Sequence, residues 1–78
     1  MISSETIARN IAIADGEPDS ARIEEAARAA SIHDFVMSLP LRYDTVVGRD
    51  GIGLSQGQKQ RLLIARMIYR RPKFIFLD

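Results

Sequence analysis

The feature that most constrains this chain is a helical pattern that starts at Gln56 and stops before Pro72. Ser55 precedes the pattern and Gln58 lies three positions later, the spacing at which two side chains cap each other's backbone N–H groups. Apolar residues at helical spacing then run up to the proline, which cannot continue the helix. The first turn of a helix leaves N–H groups without intrahelical acceptors, and such a helix start suits a phosphate. The sequence therefore predicts a capped helix over about residues 56–71, with a candidate anion site at its start.

The amino-acid composition bounds what else the chain can be. Of its 78 residues, 46% are hydrophobic and 27% are charged, as in an ordinary globular protein. The absence of cysteine excludes disulfides and cysteine-based metal sites, and the single histidine, His33, is interpreted as a packing or capping residue. No apolar run approaches the roughly 20 residues that a membrane-spanning helix needs. We therefore expect a soluble, cytosolic chain that is one small domain at most, or a piece of a larger one.

Charge is spread unevenly along the chain. The net charge is +1, but residues 1–50 carry five basic and nine acidic side chains, whereas residues 51–78 carry six basic and one acidic. This asymmetry indicates an anionic partner near the second half, and a nucleotide, a nucleic acid and an acidic protein surface all remain open. We interpret the basic stripe of the long helix as a solvated face rather than a nucleic-acid surface. The stripe consists of Lys59, Arg61, Arg66, Arg70 and Arg71.

Three shorter helices and one strand are predicted around the long helix. Ser3 to Thr6 offer N-cap candidates for the first helix, and Asp19 or Ser20 can cap the second. Pro40 ends the third helix, and the glycines that follow indicate an irregular connector. The predicted helices cover about residues 7–12, 20–30 and 32–39, the connector covers 41–53, and the apolar run 74–77 is a strand buried on both faces.

The predicted strand, Phe74–Leu77, has no partner in this sequence. A strand of a parallel sheet needs neighbours on both sides, so the chain makes more sense as a fragment than as a complete protein. We expect a mainly α structure with one terminal β-strand. Outside its sheet, that strand is expected to pair with another copy or to fold back on the helices.

Several segments resemble the ATP-binding cassette (ABC) ATPases. Their signature motif is usually L-S-G-G-Q, and Leu54–Arg61 reads L-S-Q-G-Q-K-Q-R, followed in register by I-A-R and a proline. The resemblance is closest to exporters that carry a peptidase domain and secrete peptides or bacteriocins. It extends over nearly the whole chain, from after the Q-loop to Walker B. The other matching segments are Thr6–Ala12 (T-I-x-x-N-I-A in exporters), Ile32–Phe35 with Leu39–Thr45 (H-x-F-I and L-P-x-G-Y-x-T), and Phe74–Asp78 (Walker B).

The resemblance implies a partial ABC nucleotide-binding domain over residues 1–78, that is, a fragment of an α/β P-loop NTPase domain. Residues 1–53 correspond to the helical subdomain and a coupling loop. Residues 54–72 correspond to the signature motif and its helix, and residues 73–78 to the Walker B strand. The resemblance implies that these segments belong to an ATPase at the cytoplasmic face of the membrane, whose ATP hydrolysis is coupled to transmembrane transport.

The resemblance also implies a set of site residues. The signature contacts the γ-phosphate of ATP bound to a second, head-to-tail nucleotide-binding domain, and the Walker B aspartate, Asp78, holds Mg²⁺ through water. The loop Thr45–Gly51 corresponds to the exporter loop that touches the transmembrane domains, although Arg49-Asp50 reverses the family's usual charge order. Gln56 stands where the family usually has glycine. The implied γ-phosphate contacts are Ser55, Gln56, Gly57 and Gln58.

Essential parts of an ATPase are absent from these 78 residues. They contain no G-x-x-x-x-G-K-[ST] phosphate loop, and the family's catalytic glutamate would follow Asp78. We therefore predict no measurable ATPase activity for residues 1–78 alone, and no nucleic-acid partner. Two alternatives remain: a fragment of a chromosome-maintenance or repair ATPase with a similar signature, and a small helical nucleic-acid binder that uses the basic stripe. The exporter-like segments speak against the first, and the second predicts DNA affinity that falls steeply with salt.

Overall fold

Four α-helices and one 3₁₀ helix make up most of the computed structural model, which describes residues 1–70. The described part is mainly helical, as the sequence predicts, and β pairing within residues 1–70 is limited to two isolated bridges, Thr6 with Val46 and Val47 with Ile52. The predicted terminal strand at 74–77, like Asp78, lies outside the described residues. The helices are α1 (Ile7–Ile11), α2 (Ser20–Ala29), α3 (His33–Met37) and α4 (Gln56–Arg70), and the 3₁₀ helix covers Arg42–Asp44.

Local capping explains where α1 and α2 begin. The Thr6 hydroxyl accepts a hydrogen bond from the backbone N–H of Arg9. The Asp19 carboxylate accepts from the N–H groups of Ala21 and Arg22, so Asp19 is the N-cap of the second helix. These caps satisfy N–H groups that the first turn of a helix leaves free.

The third helix and the connector after it differ from the prediction. Helix α3 covers only His33–Met37 rather than 32–39, and its last turn tightens: the Ser38 N–H is shared between the carbonyls of Asp34 and Phe35, and the Leu39 N–H bonds to the Val36 carbonyl three residues earlier. The connector is not wholly irregular, since Arg42–Asp44 forms a 3₁₀ helix. Arg42 adopts a left-handed backbone conformation with φ of 49°.

The core lies where α1 and α2 pack against α4. Ile11 and Ala12 of the first helical segment are fully buried, as is Ala27 of α2, and they meet Leu62 and Ala65 on α4. Alanines at these contacts allow the helix backbones to approach closely, so a short chain forms a continuous apolar cluster. This packing fixes α4 along its buried face. Among residues 1–70, no helix is both long and apolar enough to cross a membrane.

Candidate functional site

The predicted reciprocal cap is present at the start of α4. The Gln58 N–H donates to the Ser55 hydroxyl oxygen at 3.1 Å, and the Ser55 N–H donates to Gln58 Oε1 at 2.8 Å. The Lys59 N–H then donates to the Ser55 carbonyl at 2.9 Å and opens the helical ladder. Because the Ser55 hydroxyl only accepts in this pair, its own proton remains available for an anion.

The first turn of α4 brings the four predicted phosphate-contacting residues together. Ser55 and Gln56 are exposed, and Gly57 and Gln58 are partly exposed. Within residues 1–70, the backbone N–H groups of Gln56 and Gly57 donate to no other group. The positive end of the helix dipole adds to these free donors. The arrangement can hold an anion, and the side chain of Gln56, the one departure from the usual signature, lies on an exposed part of the turn.

Arg61 adds a cation to this turn that the pattern alone does not place there. A Cβ atom built on Gly57 would lie 3.2 Å from both terminal nitrogens of the Arg61 guanidinium. The guanidinium therefore lies against the glycine, one helical turn along. A positive charge close to the start of a helix is repelled by the positive end of the helix dipole. An anion bound there would be stabilised both by the Arg61 charge and by the helix dipole. The i, i+4 spacing of Gly57 and Arg61 is the sequence signal that could have identified this residue.

The basic stripe is only partly the solvated face that the sequence predicts. Lys59, Arg61 and Arg70 are exposed, but Arg66 is partly buried and hydrogen-bonded to Asn10. Burial lowers the pKa of the Arg66 guanidinium, and the charge of Arg70 lowers it further. The interpretation is therefore wrong for Arg66, because helical spacing cannot reveal that α1 supplies acceptors beside it. Arg71 lies outside the described residues.

The loop Thr45–Gly51 is bound to the start of the chain. The Ile7 N–H donates to the Thr45 carbonyl at 2.9 Å, and the Val47 N–H donates to the Glu5 carbonyl at 3.0 Å. A Cβ on Gly48, where φ is 85°, would lie 3.1 Å from the Ser3 carbonyl oxygen. The loop is thus held against residues 3–7 by backbone contacts.

At the tip of the loop the two reversed charges have different surroundings. The Asp50 N–H donates to the Ser4 hydroxyl at 2.9 Å, and that hydroxyl lies 3.1 Å from Asp50 Oδ2. Arg49 is exposed. A cavity of about 390 Å³ separates the loop from the first turn of α4, and its lining includes Arg49, Lys59, Ile52 and Leu54 but no carboxylate. This surface is apolar and cationic.

The far end of α4 is tied to α2 and to the loop before it. The Tyr69 hydroxyl donates to Asp15 Oδ2 at 2.6 Å and accepts from the Asp19 N–H at 3.0 Å. The Arg22 guanidinium lies 4.3 Å from the centre of the Tyr69 ring. Burial and the bond to Asp15 raise the pKa of Tyr69, and the Tyr69 hydroxyl holds the pKa of Asp15 below its usual range. These contacts hold α4 at a fixed position over α2.

His33 is a packing residue, in line with the prediction. It is buried, and its Nδ1 atom lies 2.8 Å from the Tyr43 hydroxyl. Burial and the nearby charge of Glu24 raise the pKa of Tyr43 to about 12, so this phenol stays protonated at neutral pH. Within residues 1–70, no group of three or more His, Cys, Asp or Glu side chains could hold a metal ion.

Comparison with known proteins identifies the family. The family model described as ABC transporter matches residues 1–78. The chain belongs to the ABC transporter family. This confirms the family that the signature-like octet and the exporter-like segments indicate.

Relatives of this chain include several kinds of exporter. It is 46% identical over 78 residues to the ATP-dependent lipid A-core flippase of Saccharophagus degradans, covering all of this chain and 13% of the relative. It is 47% identical over 75 residues to the colicin V secretion/processing ATP-binding protein of Escherichia coli, covering 96% of this chain and 11% of that protein. The second similarity agrees with the bacteriocin-exporter resemblance.

The fold also matches a solved exporter. A bacterial Atm1-family ABC exporter with ATP bound superposes with a TM-score of 0.81 at 42% identity, over 91% of this chain and 12% of that chain. The chain spans about an eighth of the length of the curated relatives it matches. These similarities favour an exporter over a chromosome-maintenance ATPase.

Proposed function

We propose that this chain is part of the nucleotide-binding domain of an ABC exporter and that it supplies the signature motif. In this proposal the first turn of α4 contacts the γ-phosphate of ATP held by a second nucleotide-binding domain, in a head-to-tail pair at the cytoplasmic face of the membrane. The observation that carries the proposal is the capped first turn, where Ser55 keeps a hydroxyl proton and two backbone N–H groups have no acceptor among residues 1–70. All of these groups donate, which fits a phosphate.

The residues at this turn would divide the work. Ser55 and the N–H groups of Gln56 and Gly57 donate to phosphate oxygens, while the side-chain oxygen of Gln58 holds the Ser55 N–H and keeps the turn in shape. Arg61 supplies positive charge beside Gly57. The chemistry that ATP and Mg²⁺ bring is phosphoryl transfer to water, and the donors of this turn would neutralise charge on the transferred group.

The proposal assigns roles to other parts of the chain as well. The loop Thr45–Gly51 would contact the transmembrane domains, and the apolar, cationic cavity between Arg49 and Lys59 offers a surface for that contact. Asp78 would hold Mg²⁺ through water in the intact domain. Residues 1–78 alone would have no ATPase activity, because they lack a phosphate loop.

The proposal is tested by placing a negative charge where the phosphate would lie without removing the helix cap. These 78 residues replace the matching segment of the lipid A-core flippase relative, and Ser55→Asp is introduced into this chimera. Aspartate caps a helix as well as serine does, so the unfolding midpoint is expected to stay unchanged. Its carboxylate repels the γ-phosphate, and the ATPase rate is expected to fall by at least about a hundredfold.

Thr6→Asp is the matched control, since it makes a comparable hydroxyl-to-carboxylate change at the N-cap of α1. It is expected to leave the ATPase rate within about twofold of the parent chimera. An ATPase rate that survives Ser55→Asp in a folded chimera would contradict the proposal. Affinity of the 78-residue chain for duplex DNA that falls steeply with salt would instead indicate a nucleic-acid binder.

A further inference from the structure

Asn10 is a fully buried polar residue at the junction of three segments. Its side-chain amide donates to the carbonyls of Ser3 and Thr6, both at 3.0 Å, and lies 3.3 Å from the Glu5 carbonyl. Its Oδ1 atom accepts from the Ser3 N–H at 2.8 Å. One side chain therefore holds the whole turn of residues 3–6 in place, and every polar atom of that side chain is used.

Arg66 of α4 joins this turn through Asn10. Its Nε atom donates to the Asn10 carbonyl at 2.8 Å, and one terminal nitrogen donates to Asn10 Oδ1 at 3.1 Å. Two bonds from one planar group to two acceptors fix direction as well as distance, which a single lysine nitrogen cannot do. The position of α4 relative to the turn at residues 3–6 is thereby set.

The same turn is bound on its other side to the loop Thr45–Gly51. Ser4 is paired with Asp50 by two hydrogen bonds of 2.9 and 3.1 Å, and the Val47 N–H donates to the Glu5 carbonyl. A continuous series of hydrogen bonds therefore runs from the loop, through residues 3–6 and Asn10, to Arg66 on α4.

The direct covalent path from the loop to α4 is held less firmly. It passes through residues 51–54, where a Cβ built on Gly53 would meet no atom within 4 Å. Ile52 and Gly53 are exposed, and this path is bonded to the loop by the Ile52 N–H, which donates to the Val46 carbonyl, and by the Gly51 N–H, which donates to the Gly48 carbonyl. Gly53 lies between Gly51, which packs closely on Val46, and Leu54, which packs on the core, and a movement of the loop would be absorbed more readily at Gly53 than by the buried network around Asn10.

We propose that Asn10 and Arg66 are positioning residues that transmit the position of the loop Thr45–Gly51 to the signature helix. They touch neither nucleotide nor transported substrate in this scheme. The inference rests on the proposed function, since it assumes that the loop senses the transmembrane domains and that the start of α4 contacts ATP. It predicts that weakening the Arg66–Asn10 contact uncouples ATP hydrolysis from the transported substrate.

The test uses the full-length chimera and compares Arg66→Ala and Arg66→Lys with Arg70→Ala. Arg70 is exposed on the same helix, and within residues 1–70 its side chain makes no hydrogen bond, so its removal controls for lost charge. The measurement is the ratio of ATPase rates with and without lipid A-core, together with the KM for ATP. Both Arg66 variants are expected to lower the ratio by between about twofold and thirtyfold while the KM for ATP stays unchanged. Arg70→Ala is expected to keep the ratio.

A second arm separates transmission from simple stabilisation. Ser4→Ala weakens the other end of the network, and no described contact joins Ser4 to Arg66. If Ser4 and Arg66 act in series, the Ser4→Ala/Arg66→Ala double variant lowers the ATPase ratio by clearly less than the product of the two single effects. If they act independently, the double variant lowers the ratio by that product. Arg66→Lys keeps the side-chain stem and the charge, so it carries the test if Arg66→Ala does not fold.

Two results would overturn the inference. The first is a ratio of ATPase rates with and without lipid A-core that stays unchanged in folded Arg66 variants, even if their unfolding midpoint is lower. The second is that the effects of the Ser4 and Arg66 substitutions on this ratio simply multiply. Failure of the proposed function looks different. In that case the parent chimera hydrolyses no ATP, or its hydrolysis does not respond to Ser55→Asp, whatever Arg66 does.

Discussion

Gly51→Ala tests whether the loop Thr45–Gly51 is built as the structure shows. A Cβ at Gly51 would fall against the backbone of the loop itself, within 2.6 Å of the Val47 nitrogen and closer still to the Val46 carbonyl. Backbone atoms cannot rotate away as a side chain can, so the loop must shift. Overpacking of this kind typically lowers the free energy of unfolding by about 1–3 kcal/mol. Loss of the bond from Ile52 to Val46 adds about 1 kcal/mol.

The expected loss is therefore about 2–4 kcal/mol, a large part of the roughly 4–12 kcal/mol available to a chain of this length. Urea unfolding of the 78-residue chain, followed by far-UV circular dichroism, measures it. Gly53→Ala is the matched control, because a Cβ there meets nothing within 4 Å, and it should raise the free energy by up to about 1 kcal/mol. Midpoints for the two variants that agree within error would refute the loop geometry.

Three further predictions concern other parts of the chain. Arg42→Gly should raise the free energy of unfolding by about 0.5–1 kcal/mol, because the strain of a left-handed arginine that it relieves exceeds the entropy that glycine adds to the unfolded chain. A lower free energy of unfolding than that of the parent chain would contradict the left-handed conformation of Arg42. Tyr69→Phe should lower it by about 1 kcal/mol through the lost bond to the Asp19 N–H. The bond from Tyr69 depresses the folded-state pKa of Asp15, so its contribution is present at neutral pH and disappears as pH falls through that pKa. Unfolding curves below pH 4 should therefore show the gap between Tyr69→Phe and the parent chain narrowing, and a constant gap would exclude this linkage. Finally, residues 1–78 alone should release no phosphate from ATP above the blank, and turnover abolished by Ser55→Arg would show the opposite.

Local spacing predicts the helices of this protein well because their signals lie within a few residues. The cap of α2 by Asp19 and the reciprocal cap at Ser55 and Gln58 need only adjacent residues, and both are found as the sequence predicts. Local signals are less accurate at element ends. Helix α3 stops at Met37, short of the predicted end at residue 39, and the Leu39 N–H bonds to the Val36 carbonyl three residues earlier in a tightened last turn.

The roles of several polar residues could not be predicted from spacing. Arg66 looks like part of an exposed basic stripe, yet it donates to Asn10, 56 positions earlier in the chain. Tyr69 looks like one more apolar position of α4, yet its hydroxyl pairs with Asp15 at a separation of 54 residues. The division of the chain into residues 1–53, 54–72 and 73–78, the γ-phosphate contacts and the Mg²⁺ contact of Asp78 stay predictions.

The sequence by itself determines the family, the caps and the long helix, including the turn that would meet a phosphate, since each of these is encoded in a short run of residues. Only the tertiary structure decides how that helix is held. Its fixed points are Asn10 beneath Arg66 and the Asp15–Asp19 segment beneath Tyr69. The physical reason is that a buried donor must find an acceptor wherever the packed chain supplies one, and packing brings together residues that the sequence keeps far apart.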